Sequence, residues 1–214
     1  MKVAENLAEI LNTIPQGVQI VAATKYAEAK DMRSLYYAGI HDFGENRVDA
    51  FLLKQEELKD LSIHWHFIGH LQTNKAKQVL SKIHVLHSLD SLKLAQIIEK
   101  ECEVPLDCYV EVNINSEESK HGILPKDCES FLRSLQQYSK VHIIGLMCMT
   151  IKESSKDEKK NQFLKLRKLM LEMNERLGYN MECLSMGMSE DYKEAIAAGA
   201  TTVRLGRILW EATN

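Results

Sequence analysis

The stretch that decides the fold reads QIVAATKY, residues 19–26, a short apolar run that ends beside a lysine. Runs of this length are typical of a strand in a parallel sheet that is covered on both faces. Lys25 then stands where the strand leaves the sheet. We expect its amine to be partly desolvated there and available as a nucleophile toward an aldehyde. The alternative is a lysine whose stem packs on the strand end while its ammonium group reaches water.

Outward from this run, short apolar segments alternate with helical patterns along the whole chain. The pattern predicts eight strand–helix units preceded by an extra amphipathic helix near the N-terminus. The predicted strands cover residues 19–26, 42–46, 64–69, 84–87, 106–112, 141–149, 181–186 and 202–206. Such alternation indicates a parallel sheet, and eight units is the number that closes a (β/α)8 TIM barrel. A doubly wound open sheet is the alternative.

The domain prediction is a single unit over residues 1–214, because no segment rich in proline, glycine or serine divides the chain. The local pattern also gives three predictions for individual segments. The charged stretch 152–160 is expected to be a loop before a helix over 161–177. A helix is expected from residue 189 to 198, and another reaches residue 80 after the third strand.

Composition excludes several classes of function. The formal net charge of −3 gives no reason to expect nucleic acid or an anionic membrane as a partner. No apolar run approaches the roughly 18 residues that span a bilayer, and the N-terminus does not resemble a signal peptide. The five cysteines are odd in number and lack C-x-x-C spacing, which argues against disulfides and a zinc site. We therefore expect a cytoplasmic protein.

Candidate site residues lie at the predicted strand exits, because ligands of parallel barrels bind at the C-terminal ends of the strands. The residues at the predicted exits are Lys25; Glu45 and Asn46; 69–74; His87 and Ser88; Asn113; 147–150; 185–189; and 204–207. This inventory offers one nucleophile and several neutral hydrogen-bonding groups. It offers few candidates for acid–base work.

Two small-residue turns lie at the last two exits, where barrels often hold phosphate. The first is SMGMS, residues 185–189, and the second is Gly206 with Arg207. Backbone N–H groups and the hydroxyls of Ser185 and Ser189 are suited to an anion. Taken alone, the first turn is better explained as a capped turn with Ser189 as the N-cap of the next helix. The presence of both turns at the two expected exits favours a phosphate site.

Arg204 lies two residues before the second turn. It is either an arginine at the barrel rim paired with a carboxylate or a cation beside the aromatic nitrogen of a phosphorylated ligand. In the second case it disfavours protonation of the ring, which weakens the ring as an electron sink.

His64 and His66 share one face of the third strand because side chains alternate. No acidic or cysteine partner with ligand spacing lies near them in sequence. We therefore expect satisfied, partly buried histidines and no metal site. Lys120 to Gly122 in the long loop is either the tip of a lid or a surface turn.

These residues together resemble the YggS/PROSC family of pyridoxal phosphate homeostasis proteins. The segments that carry the resemblance run through nearly the whole chain in order. They are VAATK at 21–25, DFGEN at 42–46, WHFIG at 65–69, QTNK at 72–75, VLHS at 85–88, VN at 112–113, SKHG at 119–122, GLM at 145–147, LSMGMS at 184–189 and VRLG at 203–206. The combination of SMGMS with DFGEN is specific.

The resemblance implies a barrel similar to the N-terminal domain of alanine racemases, with pyridoxal 5′-phosphate (PLP) as cofactor. Lys25 would form the internal aldimine, and Arg204 would approach the pyridine nitrogen. By the same resemblance, Asn46 would lie near the cofactor. The phosphate would be held by Ser185, Ser189, Gly206 and Arg207.

Two positions depart from the family pattern. The family often has a small hydroxyl residue where this chain has Arg207, and commonly a proline where it has His70. These departures put one phosphate contact and the loop after the third strand in question.

The resemblance implies a carrier or buffer of the cofactor that affects amino- and keto-acid balance, with PLP-dependent apo-enzymes as possible partners. The alternative is a PLP-dependent enzyme similar to a racemase. A racemase site needs a second domain and a second acid–base residue, and neither is evident in these 214 residues. We therefore expect a non-enzymatic protein, and without that second domain we expect a monomer.

Overall fold

The computed structural model describes residues 2–117 and 120–210, with side chains from Leu7 onward. The sequence also predicts a final helical turn over residues 208–212, of which 211 and 212 lie outside this part of the chain, as does Ser119. The helices and strands, in chain order, are α1 Lys2–Leu11, β1 Gln19–Ala23, α2 Ala29–Tyr37, β2 Asp42–Glu45, α3 Val48–Glu57, β3 His64–Phe67, α4 Thr73–Ala76, β4 Val85–Leu89, α5 Leu92–Glu101, β5 Leu106–Glu111, α6 Cys128–Leu135, β6 Val141–Met147, α7 Lys156–Leu177, β7 Cys183–Ser185, α8 Tyr192–Ala197, β8 Thr202–Leu205 and α9 Arg207–Trp210.

The eight strands form a closed parallel barrel in sequential order, with β8 paired to β1. This confirms the predicted (β/α)8 TIM barrel with an extra N-terminal helix. Val21 lies opposite Arg204, and Ala22 lies opposite Leu205. The chain segments that follow β1 and β8 therefore leave the barrel side by side.

The main hydrophobic core lies between the outward faces of the strands and the surrounding helices. Phe51 of α3, for example, meets Trp65 of β3 edge to face with ring centroids 5.2 Å apart. A second, small cluster of Val85, Tyr109 and Met147 lies on the opposite face of its strands, inside the barrel. Burial of each large side chain contributes about 1.5–3 kcal/mol.

Helix α7 corrects the loop predicted over residues 152–160, because it begins at Lys156. Ser155 accepts a hydrogen bond from the backbone N–H of Glu158, and the Glu158 carboxylate accepts one from the backbone N–H of Ser155. This capping box satisfies two N–H groups that the first helical turn leaves free. The high charge of the stretch indicated a loop, but the capping box stabilises the first turn of a helix there.

Several other predicted boundaries were too generous, and three of them bear on the site or its surroundings. Strand β1 ends at Ala23, so Lys25 lies in a turn beyond it. Helix α8 begins at Tyr192 with Asp191, not Ser189, as the N-cap residue. Helix α4 ends at Ala76, and turns with i→i+3 hydrogen bonds continue toward residue 82. Within the described ranges, no helix is long and apolar enough to cross a membrane.

Candidate functional site

A cavity of about 410 Å³ opens at the C-terminal ends of the strands. Its volume lies within the roughly 300–1,000 Å³ of small-molecule and cofactor sites. Five of the residues predicted for the site line it: Lys25, Ser189, Arg204, Gly206 and Arg207. The other two predicted residues, Asn46 and Ser185, lie beside it with different surroundings.

Lys25 projects from the turn after β1 and is exposed, so the predicted partial desolvation of its amine is wrong for the protein alone. Its Nζ lies 5.0 Å from the centroid of the Tyr26 ring. The strand end beneath it is fixed by Trp210, whose Nε1–H donates to the carbonyl of Ala23 at 2.9 Å. An exposed amine on a fixed strand end is accessible to an aldehyde.

A buried ion pair between Lys54 and Glu45 lies beneath this turn, and the sequence did not predict it. Lys54 Nζ lies 2.6 Å from Glu45 Oε2 and also donates to the carbonyl of Thr24 at 2.5 Å. The Thr24 hydroxyl donates to the same carboxylate at 2.9 Å, and the other carboxylate oxygen accepts from the N–H of Asn46. The carboxylate of Glu45 thus joins the exits of β1 and β2. The only available signal was a lysine on the inward side of an otherwise amphipathic helix.

Asn46 lines a neighbouring cavity of about 250 Å³. Its Oδ1 atom is buried and has no hydrogen-bond partner among the described residues. Gly69 allows the Asn46 backbone to lie this close, because a Cβ at position 69 would lie 2.4 Å from the carbonyl oxygen of Asn46. A buried acceptor without a partner is rare in folded proteins and indicates a place for a ligand donor.

The two predicted phosphate turns are tied together. Gly187 has a φ of +93°, and a Cβ there would lie 2.6 Å from the Cβ of Ala195, so only glycine fits. Its carbonyl accepts from the N–H of Arg204 at 2.9 Å. Ser189 Oγ accepts from the N–H of Gly206 at 3.2 Å. Both turns therefore face the same cavity.

Two carboxylates follow the first turn, and both are engaged. Asp191 is buried and accepts from the Met188 N–H and the Thr150 hydroxyl, both at 2.7 Å. Glu190 is exposed and forms an ion pair with Arg207. Arg207, one of the two departures from the family pattern, thus has an acidic partner at the rim of the cavity.

Arg204 is buried, and its guanidinium group is held from below. Its Nη1 donates to Ser185 Oγ at 2.6 Å, and its Nη2 donates to the carbonyl of Cys148 at 3.1 Å. Burial lowers the pKa of Arg204 from its usual value, while nearby acidic groups oppose the shift. Ser185 is completely buried, so its hydroxyl supports Arg204 and does not line the cavity.

A chain of hydrogen bonds continues from Ser185 through the barrel interior. Ser185 Oγ lies 2.8 Å from His87 Nδ1, and His87 Nε2 lies 2.8 Å from His66 Nδ1. His66 Nε2 lies 3.0 Å from Asp42 Oδ1. Burial lowers the pKa of both histidines, so both are neutral near pH 7. Arg204 can only donate, so it donates to Ser185. Each contact then has one donor and one acceptor if Ser185 donates to His87, His87 to His66, and His66 to Asp42.

Asp42 corrects the expectation that no acidic group lies near His64 and His66. It pairs with His64 across β2 and β3, and its Oδ1 lies 2.8 Å from His64 Nδ1. The three residues are separated in sequence, so only the strand register brings them together. This cluster lies at the N-terminal end of the barrel, opposite the cavity.

Glu111, the last residue of β5, was not among the predicted site residues. It is buried, and desolvation, aided by the charge of Asp90, raises its pKa to about 7, against the opposing effect of Arg204. This places a carboxyl group that titrates near neutral pH in the electrostatic field of Arg204. An apolar strand ending on glutamate was the only sign of it in the sequence.

The loop around Lys120 forms part of the cavity wall. Lys120 Nζ donates to the carbonyl of Thr150 at 3.1 Å. His121 stacks on His70 with ring centroids 3.8 Å apart, and His70 Nδ1 lies 3.0 Å from Asp90 Oδ2. The histidine that replaces the usual proline therefore joins the loop after β3 to the long loop after β5.

Comparison with known proteins agrees with this geometry. Residues 1–213 match the family model of the alanine racemase N-terminal domain. The pyridoxal phosphate homeostasis protein of Aquifex aeolicus is 35% identical, with 98% of each chain covered. That of Synechocystis is 38% identical, with 95% of each chain covered. This chain belongs to the pyridoxal phosphate homeostasis proteins. The family suggested by the sequence motifs is confirmed.

Solved structures of the family superpose closely on this member. PipY of Synechococcus elongatus, without PLP, has a TM-score of 0.93 and 34% identity, covering 97% of this chain and 99% of PipY. PipY with PLP bound has a TM-score of 0.89. The alanine racemase of Clostridium difficile is 16% identical with a TM-score of 0.76, and the match covers 56% of that enzyme. The racemase likeness concerns the barrel fold alone.

Proposed function

We propose that this chain binds PLP through Lys25 and serves intracellular PLP homeostasis as a carrier or buffer, with effects on amino- and keto-acid balance. One observation carries the proposal: a single cavity is lined by an exposed lysine, an arginine supported from below, and two turns suited to phosphate. Homologues named pyridoxal phosphate homeostasis proteins and PipY with PLP bound support it.

The residues present fit the cofactor. Ser189 and Arg207 supply a hydroxyl and a cation for the phosphate, and the Gly206 N–H, which donates to Ser189 Oγ, orients that hydroxyl. Six cationic side chains line the cavity against two acidic ones, and both acids already have partners. The unpartnered Oδ1 of Asn46 offers an acceptor near the same exits. Ser185 would contribute through Arg204, since its hydroxyl is already bound.

The chemistry of attachment follows from the amine. PLP supplies an electrophilic aldehyde when bound. Lys25 Nζ would add to the aldehyde carbon, and loss of one water would leave a covalent carbon–nitrogen double bond that water can reverse. Reversible attachment suits a protein that must both hold and release its ligand.

Arg204 favours the carrier role over a catalytic one. A guanidinium group that faces the ring nitrogen disfavours a proton on that nitrogen. An unprotonated ring withdraws electrons less effectively from bonds at the attached carbon. The support of Arg204 by Ser185 and the Cys148 carbonyl keeps this cation in place.

The proposal is tested by PLP titration of the protein and of two lysine variants, followed by absorbance. Lys25→Ala should abolish the yellow band of the bound cofactor. Lys152→Ala is the matched control, because Lys152 is an exposed lysine of the same cavity, and it should keep the band. An unchanged spectrum in Lys25→Ala would overturn the assignment of this lysine.

The proposed partners are PLP-dependent apo-enzymes, and the proposed form is a cytoplasmic monomer. Mixing the loaded protein with an apo-aminotransferase should restore that enzyme's activity, and light scattering should report one chain. Restoration no faster than with an equal amount of free PLP would contradict the carrier role.

A second candidate function is a racemase-like PLP enzyme. The observation that favours it is Glu111, a buried carboxyl whose pKa is raised to about 7 by desolvation and which lies within the electrostatic field of Arg204. Exchange of an amino acid's α-hydrogen into deuterated water, faster than with free PLP and lost in Glu111→Gln, would support this alternative.

A further inference from the structure

Asp42, His64 and His66 bring three metal-ligating atoms together at the end of the barrel opposite the PLP cavity. Asp42 begins β2 and His64 begins β3, and the two are paired in register. His66 follows on the same face of β3. The side chains of Asp42 and His64 are partly exposed, whereas that of His66 is buried. One ligand of the cluster is therefore buried in the barrel, and the other two are accessible to solvent.

The spacing of the three atoms matches one face of an octahedral metal site. His64 Nδ1 and His66 Nε2 lie 2.8 and 3.0 Å from Asp42 Oδ1 and 3.1 Å from each other. Ligands at about 2.1 Å from a metal and at right angles are about 3.0 Å apart. The two imidazole rings meet at an interplanar angle of 73°, with their centroids 5.0 Å apart. Two histidines and one carboxylate in this arrangement form a facial triad.

Protons alone cannot satisfy this triangle. If both nitrogens carry protons and donate to Asp42, the two N–H groups of His64 and His66 meet at 3.1 Å with no acceptor between them. If one nitrogen is unprotonated, its lone pair faces the carboxylate oxygen. One of the three contacts is therefore always unfavourable, whereas a cation at the centre would use all three lone pairs.

We propose that Asp42 Oδ1, His64 Nδ1 and His66 Nε2 bind one divalent first-row transition metal, with the remaining coordination positions open to water. Two imidazoles and a carboxylate suit Zn²⁺, Co²⁺, Ni²⁺ or Fe²⁺ and disfavour the hard ions Mg²⁺ and Ca²⁺. The sequence predicted no metal here because no acidic partner lies near the two histidines in sequence. The register of β2 with β3 supplies that partner, Asp42.

Groups behind the ligands support this site. Gln19 Nε2 donates to Asp42 Oδ1 at 3.0 Å, which orients the carboxylate. His66 Nδ1 lies 2.8 Å from His87 Nε2. A metal on His66 Nε2 would place the ring proton on Nδ1, where it donates to His87, as metal-bound histidines donate to a second group. This reverses the metal-free direction of the chain, so His87 Nδ1–H would then donate to Ser185 Oγ.

A second group of possible ligands provides a matched control. His70, Asp90 and His121 also place ligand atoms within 4.8 Å of one another, at the other end of the barrel. His70 and His121 lie there as stacked, exposed rings. Among the described residues, no chain of buried hydrogen bonds orients these two rings, so this group should contribute little to metal affinity.

The test is calorimetric titration of the untagged, PLP-free protein with Zn²⁺ and Co²⁺, with Co²⁺ absorption as a second readout. We expect one equivalent bound with a weak, octahedral-type Co²⁺ spectrum. Asp42→Asn and His64→Gln should each weaken binding by about tenfold or more. The double variant His70→Gln/His121→Gln should leave it unchanged.

Partly exposed positions were chosen so that the variants fold, which circular dichroism and urea unfolding would verify. Wild-type binding no tighter than that of Asp42→Asn would overturn the proposal. So would loss of binding in the His70→Gln/His121→Gln control.

Discussion

Arg204 Nη1 donates a hydrogen bond of 2.6 Å to Ser185 Oγ, and both residues are buried. The serine that opens the SMGMS turn therefore supports the arginine and is turned away from the cavity. Only Ser189 of the two serines lines that cavity. The two serines should consequently affect the cofactor in different ways.

The first prediction separates these roles. Ser185→Ala should weaken binding of PLP and of pyridoxal, which lacks the phosphate, by a similar factor. A hydrogen bond to a charged group contributes about 1.5–3 kcal/mol. Because this bond is present with and without the cofactor, only part of that energy should be lost from binding, up to about tenfold in affinity. Ser189→Ala should weaken PLP binding only. A loss specific to PLP in Ser185→Ala would instead assign Ser185 to the phosphate.

The buried pair of Lys54 and Glu45 should be important for stability. Glu45→Gln leaves the Lys54 ammonium buried without its counter-charge, which should cost about 3–5 kcal/mol in the free energy of unfolding. The double variant Glu45→Gln/Lys54→Met should recover part of that loss. Glu56→Gln, which breaks the exposed pair with Lys59, is the control and should scarcely move the urea midpoint. Equal midpoints for Glu45→Gln and Glu56→Gln would be inconsistent with a buried pair.

Glu111 should make stability depend on pH. Its folded pKa of about 7 lies above the ordinary value of 4.5, so the native state holds its proton more tightly than the unfolded state. The resulting stabilisation is present below pH 4.5 and is lost as pH rises through about 7. The change is about 3 kcal/mol. Urea unfolding of the wild type and of Glu111→Gln between pH 4.5 and 8 should therefore diverge, and parallel curves would refute the assignment.

Gly69 should control the position of Asn46. Gly69→Ala places a Cβ 2.4 Å from the Asn46 carbonyl oxygen, so the backbone must move. We expect a loss of about 1–3 kcal/mol in stability, as in overpacked cores, together with weaker PLP binding. Asn46→Ala should weaken PLP binding without the same loss of stability. Normal PLP binding by Gly69→Ala would argue against a role for Asn46.

The sequence predicted the barrel because buried parallel strands are continuous apolar runs, and the alternation from QIVAA onward counts them directly. It also predicted Lys25, Arg204, Gly206 and Arg207 among the residues that line the cavity, because ligands of parallel barrels bind at the C-terminal ends of the strands. Both inferences depend on local pattern and on one topological rule.

What the sequence could not predict depends on register and side-chain direction. Ser185 and Ser189 look equivalent in the motif, yet the strand pleat turns one inward to Arg204. Asp42 meets His64 only through the register of β2 and β3. The burial of Lys54 in α3 likewise depends on the carboxylate of Glu45, which lies on another element.

The central claim is that Lys25 holds the cofactor. The most direct test is borohydride reduction of the PLP-loaded protein, followed by proteolysis and identification of the labelled peptide. The account predicts a single pyridoxyl label, on Lys25. A label on Lys120, Lys152 or Lys159 instead, or a cofactor that washes away after reduction, would contradict it.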